Sequence, residues 1–167
     1  TQEFNVSVSL NIESSSIIPR KIFPVSKQDL KKYMDRMEDG FVPGRNFVSI
    51  ADVLVSVLLK EGYGTGPNTF SFRQDDKANH KLYLWQMGRN YEFTYGWGGR
   101  ENIDSYAKTW IAILNEKVFA NAWDTIKVQP NDIISFRHVN DIRIGWNQIQ
   151  LVAEKQISLP GEEIDLL

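Results

Sequence analysis

Residues 105–139 read SYAKTWIAILNEKVFANAWDTIKVQPNDIISFRHV, and their pattern decides the fold. Trp110, Ile111, Ile113 and Leu114 make a β-branched and aromatic run that stops at Asn115. An Asn side chain can bond its own backbone and tolerates left-handed geometry, so Asn115-Glu116 reads as a turn. A polar stretch follows, then Pro130-Asn131-Asp132 just ahead of Ile133, Ile134 and Phe136. Proline lacks an amide donor, so Pro130 belongs in the turn before a strand. The pattern predicts strands over 108–114, 125–128 and 133–139. Trp110 and Trp123 are expected in the core.

Working outward, Phe4, Val6, Val8, Leu10 and Ile12 alternate with Asn5, Ser7, Ser9 and Asn11. A period of two marks a half-buried strand. Residues 17–25 predict a second strand, with Pro19 and Pro24 restricted to a sheet edge or to its ends. Ser26-x-x-Asp29 opens a first helix like a capping box, with Leu30, Tyr33, Met34 and Met37 at helical spacing and Gly40 as the stop. Its polar back face marks it as an insertion at about 26–39. Ser49-x-x-Asp52 opens a second helix, with Ile50, Val53, Leu54, Val57 and Leu58 on one face and Gly62 at its end. This helix is expected against the sheet. Residues 69–73, 81–87 and 91–95 predict further strands. Residues 142–152 predict another, bulged near 145–148. One main helix among many strands points to α+β with a mixed sheet, in a single domain over 1–160 with a tail at 161–167.

The order "Trp, strand, Leu-Asn-Glu, polar stretch, Pro-x-Asp, strand" resembles the end of the transcobalamin C-terminal-like β-grasp family. The resemblance covers roughly residues 48–139. In that family a Gly-Asp or similar turn opens the last strand; Asn131 stands where glycine is usual. The resemblance implies a hairpin, a helix laid across it and more strands. It also implies a domain built for binding with no chemistry of its own, and cobalamin as one candidate ligand. It carries with it an extracytoplasmic origin, at a bacterial cell surface or in the periplasm. The chain shows no Met start, basic n-region or h-region, which reads as a processed fragment of lipoprotein type.

Composition narrows the classes. A formal charge of −2, with lysines and arginines scattered, argues against a general nucleic-acid binder, whose affinity rests on neutralising phosphates. No apolar run approaches the ~20 residues of a membrane helix. Zero cysteines exclude disulfides, thiolate catalysis and thiolate metal sites.

Several motifs invite a site. Gly62-x-Gly64-x-Gly66 follows a helix and opens a strand, the reverse of a phosphate-binding loop, and reads as a cap and turn. Asp75, Asp76 and His80 could hold a metal but sit in a polar segment that reads as a hairpin tip. His138 reads as an outward-facing strand residue. Glu38-Asp39 and Glu162-Glu163 read as solvated charge. No nucleophile elbow or zinc-protease helix occurs, so no catalytic residue, metal or cofactor is assigned.

The segment 88–106, GRNYEFTYGWGGRENIDSY, carries the candidate site. Glycines around Trp97 let the chain turn sharply and leave the indole and the Arg100 fork clear. Aromatic rings beside an arginine are the composition of binding hot spots for flat ligands, sugars or protein partners. Trp97, Arg100, Tyr95 and Tyr106 are the expected ligand-binding residues. Tyr91, Phe93 and Tyr95 have the alternative of packing on the core helix. The expected partner is a small molecule (cobalamin or a carbohydrate) or a surface protein. The alternative function is a structural or adhesion module of a cell-surface assembly.

Overall fold

In a computed structural model, the described residues are 3–27, 46–64, 66–74, 82–89, 93–96, 109–119 and 122–139. Strands β1 (Phe4–Ile12) and β2 (Ser15–Val25) form an antiparallel hairpin, and α1 (Ile50–Lys60) follows. Then come β3 (Thr69–Gln74), β4 (Leu82–Arg89), β5 (Phe93–Gly96), β6 (Thr109–Leu114), β7 (Lys117–Phe119) and β8 (Ile133–Val139). The main sheet has the order β2-β1-β8-β6-β7, and a smaller one has the order β3-β4-β5. β1 and β8 pair in parallel at the centre, while β6 runs antiparallel to β8. The fold is therefore α+β with a β-grasp-like mixed sheet. The expected insertion at 26–39, strand at 142–152 and tail at 161–167 lie outside the described residues, apart from Ser26 and Lys27.

The period-two pattern sets the core. Across β1, β8 and β6, three rows share one face: Val8–Ile134–Leu114, Leu10–Phe136–Ala112 and Ile12–His138–Trp110. All nine of these side chains are buried. The small Ala112 sits opposite the large Phe136, and Trp123 packs against Phe136 with ring centroids 5.6 Å apart. Both Trp110 and Trp123 lie in the core, as their sequence context predicts. His138 does not face outward: it is fully buried and meets the Trp110 ring edge-on at 5.1 Å. Residues i and i+2 share a strand face, so His138 follows Phe136 inward.

Ser49 caps α1. Its hydroxyl accepts from the Asp52 amide at 3.2 Å, while the Asp52 carboxylate accepts from the Ser49 amide at 2.7 Å. The reciprocal pair is the predicted capping box. Every residue from Ile50 to Leu58 is buried, so the helix is enclosed on all sides rather than on one stripe. Phe70, Phe72, Leu82, Leu84 and Met87 of the smaller sheet join the same core cluster as the helix and main sheet. At the far end Gly62, Gly64 and Gly66 all have positive φ. That run is a helix exit and turn.

The turns read from residues 105–139 interlock. Asn115 and Glu116 have φ of 45° and 78°, the left-handed pair that a two-residue hairpin between β6 and β7 demands. The Asn115 side chain donates to Asp132 Oδ1 at 2.9 Å and accepts from the Ile133 amide at 3.1 Å. Asp132 Oδ2 accepts from the Gln129 amide at 2.8 Å. Asn131, with φ of 68°, donates its amide to Asn5 at 2.8 Å. Asparagine tolerates this left-handed geometry, which explains its presence where glycine would be expected.

Two further expectations are corrected. Residues 125–128 are not a strand. Trp123–Thr125 is a 3-10 turn entered through left-handed Ala122, closed by the Thr125 hydroxyl donating to the Ala122 carbonyl at 2.7 Å. The following residues only pin the helix entry, through Ile50 to Ile126 at 3.1 Å and Val128 to Val48 at 2.9 Å. The second strand, moreover, starts at Ser15 rather than Ile17. Its two prolines are accommodated because β2 is an edge strand.

Candidate functional site

The smaller sheet positions what is described of the candidate segment. In it β5 is an edge strand, with Gln86 opposite Gly96, Met87 opposite Tyr95, Gly88 opposite Thr94 and Arg89 opposite Phe93. Tyr95 is thus the penultimate residue of that edge. The chain then enters Trp97-Gly98-Gly99-Arg100 and returns as β6, between β8 and β7 of the main sheet. The segment therefore links the edge of one sheet to the interior of the other. Trp97, Arg100 and Tyr106 lie outside the described residues, as do Asp75, Asp76 and His80.

The buried carboxylates of the described residues are bound into the scaffold. Asp52 Oδ2 accepts from the Ser49 amide at 2.7 Å, the Ser49 hydroxyl at 2.8 Å and Lys27 Nζ at 3.2 Å. Burial raises the Asp52 pKa, and the Ser49 and Lys27 contacts only partly oppose it. Asp124 Oδ1 accepts from the Leu82 amide at 2.7 Å, tying the 3-10 turn to β4. This bond fastens the β7–β8 connection to the smaller sheet. Each carboxylate thus has a scaffold role.

A second polar constellation, which the sequence reading did not single out, lies on the main-sheet face opposite the buried rows. A register shift between Val8 and Leu10 falls where β2 passes Arg20. The Arg20 guanidinium donates to the Ser7 carbonyl and hydroxyl at 3.1 Å each and to the Ser9 hydroxyl at 2.9 Å. It also donates to the Ser135 hydroxyl on β8. Arg137 lies on the same face, opposite Asn11 of β1 and Ile111 of β6. One of its terminal nitrogens donates to the Glu13 carbonyl at 3.4 Å, while its buried Nε has no hydrogen-bond partner. Ile111, Ile113 and Val139 form an apolar cluster beside it. The Ser7/Ser9 alternation was visible in sequence. Its convergence with residues more than a hundred positions away was not.

No protein-family model, curated protein or solved structure matches this chain.

Proposed function

We propose that this chain is a non-enzymatic ligand-binding module acting outside the cytoplasm, at a bacterial surface or in the periplasm. Binding is assigned to Trp97, Arg100, Tyr95 and Tyr106. The observation that carries the reading is Tyr95-Gly-Trp97-Gly-Gly-Arg100 issuing from the edge strand β5. An aromatic ring and a guanidinium separated by glycines suit stacking on a flat ring or a sugar. The β-grasp-like order of the main sheet agrees with the resemblance to the transcobalamin C-terminal-like family, and the ligand tried first is therefore cobalamin. Carbohydrate and a surface protein follow. The structural use of Asp52 and Asp124 also favours a binding role over catalysis.

Intrinsic tryptophan fluorescence tests the reading with cobalamin and a glycan panel titrated into wild-type protein and Arg100→Gln. The expected result is a saturable change for one ligand, weakened in the variant. A chain that binds none of them, and binds solubilised surface proteins equally well without Arg100, is instead a structural or adhesion module.

A further inference from the structure

The buried Asp52 carboxylate at the head of α1 is lopsided. Its Oδ2 accepts from the Ser49 amide at 2.7 Å, the Ser49 hydroxyl at 2.8 Å and Lys27 Nζ at 3.2 Å. Its Oδ1 is buried and accepts from nothing. A carboxylate spreads its charge over both oxygens, so part of this charge is taken out of water with no partner. Burial accordingly raises the Asp52 pKa from 3.8, opposed by the Ser49 hydrogen bonds and by the Lys27 charge.

The counter-ion stands differently. Lys27 lies just past the end of β2, and its side chain is 21% exposed against 0% for Asp52. A lysine so placed reaches water by turning its flexible stem. Other charged groups on the elements beside α1 are engaged elsewhere. Lys21 of β2 pairs with Glu61 past the far end of the helix, and Arg20 bonds Ser7 and Ser9 on the other face of the sheet. Asp124 of the 3-10 turn accepts from the Leu82 amide, and Lys127 meets Ser49 through a backbone bridge. Lys27 is the charge that acts on Asp52. A proton taken up at the unpartnered Oδ1 leaves Oδ2 a carbonyl oxygen that still accepts from Ser49. The capping box then survives, while the Lys27 ammonium loses the negative charge that holds it in a mostly buried position.

We propose that Lys27 and Asp52 form a proton-operated latch between the end of β2 and the head of α1, closed when Asp52 is ionised and open when it is protonated. Opening replaces a neutral ion pair by an exposed ammonium. Acidification therefore places a new positive charge on the surface at the β2 exit and leaves α1 capped. The latch uses none of the residues assigned to ligand binding in the 88–106 segment.

The test is an NMR pH titration of the whole chain from neutral to acid, following the Asp52 side-chain carboxyl carbon, the Lys27 Cε and the Ser49 amide. The expected result is one shared midpoint for Asp52 and Lys27, above 3.8, with the Ser49 amide shift showing its hydrogen bond kept throughout. In Asp52→Asn the Lys27 signal should stay at its acid-side position at every pH. In Lys27→Met the Asp52 midpoint should rise further, because the charge that opposed protonation has gone. Amide shifts elsewhere that match the wild type show that both variants fold. A Lys27 signal that ignores the Asp52 step, or a step that persists in Asp52→Asn, would overturn the latch. So would an Asp52 midpoint at or below 3.8, one that fails to rise in Lys27→Met, or a Ser49 amide that lets go together with Lys27.

Discussion

Leu54→Ala probes the enclosed helix directly. Leu54 is fully buried, as are the residues on every side of it from Ile50 to Leu58. Removing three carbons at ~0.8 kcal/mol each gives about 2.4 kcal/mol for lost transfer alone. A cavity term adds to this wherever the surroundings fail to close, and α1 is held at its entry by Ser49, Ile126 and Val128. The expected cost is about 3–4 kcal/mol, within the ~2–5 kcal/mol range of such truncations. Against a typical domain stability of ~5–15 kcal/mol this is a large fraction. Urea unfolding followed by tryptophan fluorescence and far-ultraviolet circular dichroism should show a lower midpoint with an unchanged slope. Ile22→Ala is the control: Ile22 is 69% exposed on edge strand β2, so its change should stay within about 0.5 kcal/mol. A Leu54→Ala loss below about 1 kcal/mol, or one equal to the control, would refute an enclosed α1.

Glu116→Gly should stabilise the β6–β7 hairpin by about 0.5–1 kcal/mol in urea melts, because Glu116 holds φ of 78° where glycine is unstrained; a loss of stability would count against the left-handed turn. Asp52→Asn should gain on the wild type as pH rises. The folded-state pKa of Asp52 is raised by burial, so its stabilising contribution is complete below its ordinary value of 3.8 and is lost as pH climbs through the folded value. Paired urea melts from acid to neutral pH check this, and a difference that is flat or slopes the other way would contradict it. His138→Leu should remain folded with a perturbed Trp110 emission, since the two rings meet edge-on at 5.1 Å. A surface-like, silent substitution would contradict the inward placement.

What the sequence made legible was local. Alternation gave β1, the Ser49/Asp52 capping box gave α1, and Asn115 with Pro130 marked the ends of β6 and the start of β8. Each depends on neighbours a few residues apart. The parallel union of β1 with β8 could not be read that way, because it joins chain segments separated by the helix and the smaller sheet. The same distance hid the Arg20–Ser135 contact. Thr125 misled because β-branched residues favour strands, whereas here its hydroxyl closes a 3-10 turn. Of the candidate site, only Tyr95 falls within the described residues, in β5; the composition around Trp97 and Arg100 remains the ground for assigning them.

Calorimetric titration of wild-type protein and Trp97→Ala with cobalamin, a glycan panel and detergent-solubilised surface proteins tests the binding assignment most directly. A stacked ring or sugar contact contributes on the order of 1 kcal/mol. The expected result is a saturable heat for one ligand in the wild type, weakened several-fold in Trp97→Ala at an unchanged melting temperature. Equal binding by the two proteins, or no binding by either, would contradict it.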